Sequence, residues 1–243
     1  MHTLSLFWHY VTTANNWWGT TGIVERTIAH VRISVVATFV AAAIALPPSV
    51  ALGHVRKGGL LAVSIVNIGR AIPSLAIIAF LTTLTFFGFG YRPTLVALIV
   101  LAIPPIFTNA YTGVRNVDRD IVEAARGMGM TSNEVLLRVE MPSALPLVIA
   151  GLRISAVQVV ATATLGAIVA FECLGSFITE GIAQQDDGKL LTGAVLVAVL
   201  ALITDGFFIL LQRALTPWMR RRKRRGIAPV TADIDVAATA AAH

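Results

Sequence analysis

The chain has 243 residues, of which 56% are hydrophobic and only 13% charged, with a mean hydropathy of +0.78. A soluble domain carries about 25% charged residues, so the composition excludes one and points to an all-α integral membrane protein. The formal net charge of +6 is concentrated towards one end, and a single cysteine, Cys173, excludes an intrachain disulfide and a thiol-based metal site.

Residues 1–26 lack the basic start and small-residue cleavage site of a signal peptide. Trp8, Trp17 and Trp18 suit an N-terminal segment at a membrane interface. Apolar runs then predict about five spans, at residues 29–52, 60–87, 94–111, 144–171 and 190–211, each near the length of about 20 residues that a bilayer requires. Residues 60–68 have the alternative of lying on the surface. Helices are required because backbone groups in lipid must pair internally. Prolines 47, 48, 73, 104 and 105 predict kinks or broken ends.

His30 and Arg32, near the outer end of the first span, read as interfacial. In the second span Asn67, Arg70 and Ser74 recur at i, i+3 and i+7, one helical face. Ser155, Gln158, Thr162 and Gly166 share a face of the fourth span in the same way. Both stripes are candidates for a polar path through the bundle and equally for interhelical packing. Asp205 is a lone carboxylate in the fifth span, with Arg70 or Arg153 as its candidate ion-pair partner.

Between the third and fourth spans, residues 118–142 form a polar loop. Asp120 followed by Glu123 resembles a capping box and predicts a helix start. Ala124, Ala125 and Met128 continue that helix, and Gly129 can end it in the left-handed conformation. Thr131 and Glu134 form a second box, opening a helix through Arg138. Pro142 and Pro146 mark the restart before the next span. The expectation is a compact helix-turn-helix whose small residues let a partner approach the backbone.

Lys and Arg bias sets orientation. Arg56, Lys57, the polar loop and the run Arg220–Arg225 fall on the cytoplasmic side, which puts the N-terminus outside. The domain reading is therefore a segment at 1–26, a membrane domain at 27–213 and a tail at 214–243 that is basic, then disordered. The basic run reads as an anchor to anionic lipid, not a nucleic-acid site. No phosphate-binding loop, metal-binding motif or nucleophile elbow occurs, so neither a catalytic residue nor a bound cofactor is expected in this chain.

The loop reads Glu123-Ala124-Ala125, three residues, Gly129, nine residues, then Val139, one residue, Met141-Pro142. This resembles the signature cytoplasmic loop of permease subunits in ABC importers, with Val139 for Ile and Met141 for Leu as its two departures. The stretches 70–76 and 88–92, with 16–19 and 22–27, are similar to permeases of the osmoprotectant branch, which handles glycine betaine, carnitine and choline. The likeness covers roughly residues 16 to 211. It implies a multi-pass protein of the bacterial cell membrane working by alternating access. Its partners would be a second permease (copy or paralogue), two ATPase subunits carrying ATP and Mg, and an external solute-binding protein. Glu123, Ala124, Ala125, Gly129, Thr131, Glu134, Val139, Met141 and Pro142 would form the ATPase-coupling loop. A permease for amino acids or another small polar solute, a non-transporting scaffold and a stand-alone secondary carrier are the alternatives.

Overall fold

In the computed structural model, which describes residues 2–56, 59–68 and 72–217, every regular element is helical. In chain order these are α1 (His2–Thr12), α2 (Ile23–Val55), α3 (Gly59–Ile68), α4 (Ser74–Thr83), α5 (Tyr91–Arg115), α6 (Arg119–Gly127), α7 (Ser132–Val135), α8 (Met141–Thr162), α9 (Leu174–Gln184) and α10 (Asp187–Leu215). Among the described residues four helical stretches are long and apolar enough to cross a membrane: α2, α5, the continuous run Ser132–Val169 that contains α7 and α8, and α10.

The stretch expected as one second span is two ten-residue helices, α3 and α4. Each rises about 15 Å, half the thickness of a bilayer core. Pro73 caps the start of α4 in an extended conformation; lacking an N–H, and disfavouring helix in the residue before it, proline cannot carry α3 into α4. Paired prolines elsewhere do not break the chain: Pro47 and Pro48 lie within α2, and Pro104 and Pro105 within α5. The outer loop expected before the last span holds a further helix, α9. Helix α2 starts at Ile23, inside the stretch read as the N-terminal segment. The basic run Arg220–Arg225 and the tail beyond it lie outside the described residues, as do Lys57 and Arg70.

The core is the contact of α2 with α5 and α8. Along α2 the buried positions Ile33, Ala37, Ala41, Ala45, Ser49 and Gly53 recur every fourth residue, a row of mostly small side chains on one face. They meet Leu98, Ala102, Ile106, Phe107 and Tyr111 of α5 and Val159 of α8. Small residues let helix backbones approach where the surrounding lipid supplies no hydrophobic drive. The approach is closest at glycines: a Cβ on Gly53 would stand 2.8 Å from the Cβ of Val114, and one on Gly151 would stand 2.8 Å from that of Asn109 and 2.9 Å from the Pro105 carbonyl oxygen.

Helix α10 is different. Of its 29 residues only Gly188, Thr192 and Gly193 are fully buried; Leu196, Val197 and Leu200 pack on Ile23, Leu174 and Phe177, while Leu202, Ile203, Phe207 and Leu210 are exposed. Gly151→Ala should therefore lower Tm by several degrees, because overpacking costs about 1–3 kcal/mol. Gly206→Ala in α10, where a Cβ meets nothing within 4 Å, should leave Tm unchanged or raise it. Thermal unfolding of the two purified variants is the check.

Candidate functional site

The polar loop folds on itself. Helix α6 is capped by Asp118, whose carboxylate accepts from the Asp120 N–H at 3.0 Å. The start expected at Asp120 is thus corrected: both aspartates offer the same short acceptor, and the one two residues earlier takes the role, leaving Asp120 inside the first turn. The helix closes with the Met128 N–H on the Ala124 carbonyl and the Met130 N–H on that of Ala125. Between them Gly129 has φ +87, and a Cβ there would meet nothing within 4 Å. Backbone conformation, not space, calls for glycine.

The second half begins with the Thr131 capping box. The Thr131 hydroxyl accepts from the Glu134 N–H, and Glu134 Oε2 accepts from the Thr131 N–H at 2.9 Å. Helix α7 then runs into a π-helical turn, Leu136–Glu140, and directly into α8. The restart expected at Pro142 and Pro146 does not occur. A proline ring would collide with the carbonyl four residues back in a regular α-helix. Here the Met141 N–H reaches back five residues to Leu136, and this wider turn accommodates Pro142.

Val117, Val122, Ala125 and Val135 form a small core of the loop's own, with Met130 and Val139 against it. Ala125 is spent on this packing, while Glu123, Ala124 and Gly129 are exposed. Met141 packs on Ala110, Val114, Ala144 and Val148, where the loop joins α5 and α8. Both departures from the signature, Val139 and Met141, therefore fill apolar packing positions. Ile121, Met128 and Leu137 are large apolar side chains left exposed on the loop.

The two stripes expected along the spans fare differently. Asn67 is on α3 and Ser74 opens α4, so they do not share one helical face. The Asn67 Oδ1 is buried without a hydrogen-bond partner. On α8, Ser155 is fully buried and donates to the Ala102 carbonyl of α5 at 3.1 Å, a link between helices. Gln158 and Thr162 are half-buried. Asp205 receives two hydrogen bonds from Arg153, Nε at 2.5 Å and the terminal nitrogen at 2.8 Å, joining α10 to α8. His30 is fully buried, with Nε2 2.9 Å from the Val160 carbonyl, so it is held within the bundle; Arg32 is exposed.

Two polar clusters escape sequence reasoning. At one end of the bundle Arg26 is 2% exposed and pairs with Glu172 at 2.7 Å and with Glu180, its guanidinium lying 4.6 Å from the centre of the Phe177 ring. Lys189 reaches Glu180 at 2.5 Å. A groove of about 610 Å³ lined by Gly19, Thr20, Glu25, Arg26, Ala29 and Glu172 opens beside the cluster. At the opposite end His54 stands between Glu140 and Ser132, with Nδ1 2.5 Å from Glu140 Oε2 and Nε2 2.7 Å from Ser132 Oγ. Neither cluster has partners at a fixed sequence spacing, although Glu172, Glu180, Asp186 and Asp187 lie near Lys189 in the sequence. No group of side chains suited to a metal ion occurs among the described residues.

Long apolar helices packed around small residues, with one self-packed polar loop, have the form of a multi-pass membrane protein. Residues 32–221 match the family model described as the inner membrane component of binding-protein-dependent transport systems, and the chain belongs to this family. It is 36% identical over 204 residues to the carnitine transport permease protein OpuCB of Listeria monocytogenes, covering 84% of this chain and 93% of the relative. It is also 36% identical over 195 residues to the choline transport system permease protein OpuBB of Bacillus subtilis, covering 80% and 89%. An inward-facing structure of the MetNI methionine ABC transporter superimposes with a TM-score of 0.70 over 80% of this chain and 96% of that one, at 22% identity. That likeness shows the shared permease fold. The protein is therefore a multi-pass inner-membrane component of an ABC transport system.

Partial burial alone would raise the Glu180 carboxyl, but hydrogen bonds from Arg26 and Lys189 outweigh it and hold the group below the usual carboxylate range. A value depressed on folding gives stability that is complete above the unfolded value of about 4.3 and is lost as pH falls through the folded one. Glu180→Gln should accordingly lower Tm at neutral pH, and its gap to the unaltered protein should close as pH drops below about 4. Thermal scans of both across that range provide the check, and a gap independent of pH would contradict the ionic role.

Proposed function

We propose that this chain is the transmembrane subunit of an ATP-driven importer for an osmoprotectant, a small solute of the glycine betaine, carnitine or choline kind. The observation that carries the reading is the loop: a capped, self-packed unit that leaves Ile121, Ala124, Met128 and Leu137 exposed beside Glu123. Such a surface suits docking of a cytoplasmic ATPase, which would carry the ATP and Mg. Relatives named for carnitine and choline transport support the solute class. The working assembly has a second permease, copy or paralogue, two ATPase subunits and an external binding protein.

Arginines 56, 115 and 119 line one groove beside the loop, in keeping with a cytoplasmic loop and C-terminus and an outer N-terminus. The solute path runs beside the break between α3 and α4, since interrupted helices at membrane depth are tolerated where they line a cavity. The buried, unpartnered Asn67 Oδ1 supports that placement, with Arg70, Ser74, Gln158 and Thr162 as further candidates. Asp205, held by Arg153, is a structural ion pair and not a proton carrier.

Two measurements test the reading. In liposomes containing the ATPase and binding protein, glycine betaine uptake should follow ATP supplied on the loop side. The chain alone should accumulate nothing under a proton or sodium gradient; gradient-driven uptake that Asp205→Asn abolishes would overturn the importer reading. Gly129→Val, which forces a β-branched residue to positive φ at a cost of about 1–3 kcal/mol, should reduce co-purification of the ATPase severalfold with membrane insertion intact. Undiminished recovery would remove the loop from the docking role.

A further inference from the structure

The inner end of α2 meets α5 and the loop at three points. Gly53 lies against Val114, so the helix approaches α5 as closely as its backbone allows. One turn on, Arg56 donates to the Val117 carbonyl at 2.8 Å, where the loop begins. Between them His54 reaches two residues on the far half of the loop, Ser132 at the start of α7 and Glu140 at the end of the π-helical turn. Nδ1 faces the Glu140 carboxylate, and the Ser132 hydroxyl, which can donate or accept, serves Nε2 in either role. One imidazole thus spans the whole 132–140 turn.

Glu140 is 1% exposed, and its second oxygen, Oε1, has no hydrogen-bond partner. Burying a carboxylate with half its acceptors idle is costly, and an apolar residue would pack there without that cost. The two grooves described above are lined by other residues, one of them by the neighbouring Arg56 and Val117. What the trio does is join two segments 86 residues apart in sequence.

We propose that His54 is the positioning residue that couples the loop to α2, making the two move as one. The inference rests on the importer reading. The loop is continuous with α8 through the backbone, so displacing it carries α8 along without help. Helix α2 is joined to the loop through side chains instead, Arg56 where the loop begins and His54 on its far half. Its other end carries Arg26, locked to Glu172 and Glu180, about 42 Å of helix rise away. A loop gripped by His54 therefore pulls on the ion pairs at the opposite membrane face, and one released from it does not.

The test uses the reconstituted importer with its ATPase and binding protein. In Glu140→Ala, which removes the buried carboxylate, and in the double variant His54→Ala/Glu140→Ala, which leaves none unpaired, permease abundance and ATPase recovery should stay normal and ATP hydrolysis should continue. Glycine betaine taken up per ATP hydrolysed should fall about fivefold or more, the scale of a typical coupling between sites. A purely structural role would lower abundance, hydrolysis and uptake together and leave the ratio unchanged, and an unchanged ratio overturns the proposal. A double variant, His54→Cys with Ser132→Cys, joined by a short reducible bis-methanethiosulfonate linker, covers the case in which the alanine variants fail to assemble. Recovery of the ratio on linking, and its loss on reduction, supports the linkage; no recovery overturns it. If the unaltered assembly shows no ATP-driven uptake, the importer reading falls and the linkage with it.

Discussion

Helical hydrogen bonding that runs without a break from Ser132 into α8 is the constraint on which the rest of the structure depends. Because the loop and the membrane helix are one rod, the loop cannot tilt alone. The π-helical turn at Leu136–Glu140 keeps the rod intact across Pro142, a residue that would otherwise kink or end it. The Thr131 capping box fixes where the rod begins, and the small core of Val117, Val122, Ala125 and Val135 fastens α6 to it. A surface segment built this way has the rigidity that a lever requires.

The row of small residues on α2 has a complementary effect. Close backbone packing against α5 holds α2 through van der Waals contact over most of its length. Its ionic ties lie at its two ends, Arg26 and His54. Each is tied to a segment remote in sequence, and each tie is a set of charge-assisted hydrogen bonds, stronger than neutral ones. Apolar packing in the middle with polar fastening at the ends lets a helix shift as a body and re-form its contacts. The Arg153–Asp205 pair fastens α10 to α8 in the same manner.

The polar loop was legible in the sequence because its determinants are local. A capping box spans four residues, and a glycine at positive φ announces the end of a helix whatever surrounds it. Even there Asp118 and Asp120 were interchangeable on pattern alone, and only the fold chose between them. The long apolar helices were legible from hydropathy. The break between α3 and α4 was less so, since residues 60–87 are apolar throughout and only Pro73 signalled an interruption. His30 read as interfacial because its acceptor, the Val160 carbonyl, is 130 residues away. The Arg26 and His54 clusters have the same character: they join distant segments, and no periodicity in a single sequence encodes a contact of that range. Ala125 shows a subtler limit, because a small residue reads alike whether it admits a partner or fills a core.

Rigidity of the loop is the central claim, and electron paramagnetic resonance distances test it most directly. Spin labels on Ile121 and Leu137, both exposed and on opposite halves of the loop, would be measured in the assembled transporter with and without a non-hydrolysable ATP analogue. A rigid lever keeps that distance constant, while the distance from Leu137 to a label on the exposed Phe86 changes. A shift between Ile121 and Leu137 with the Leu137–Phe86 distance unchanged would contradict it, showing a loop that deforms where it is held and moves nothing in the membrane.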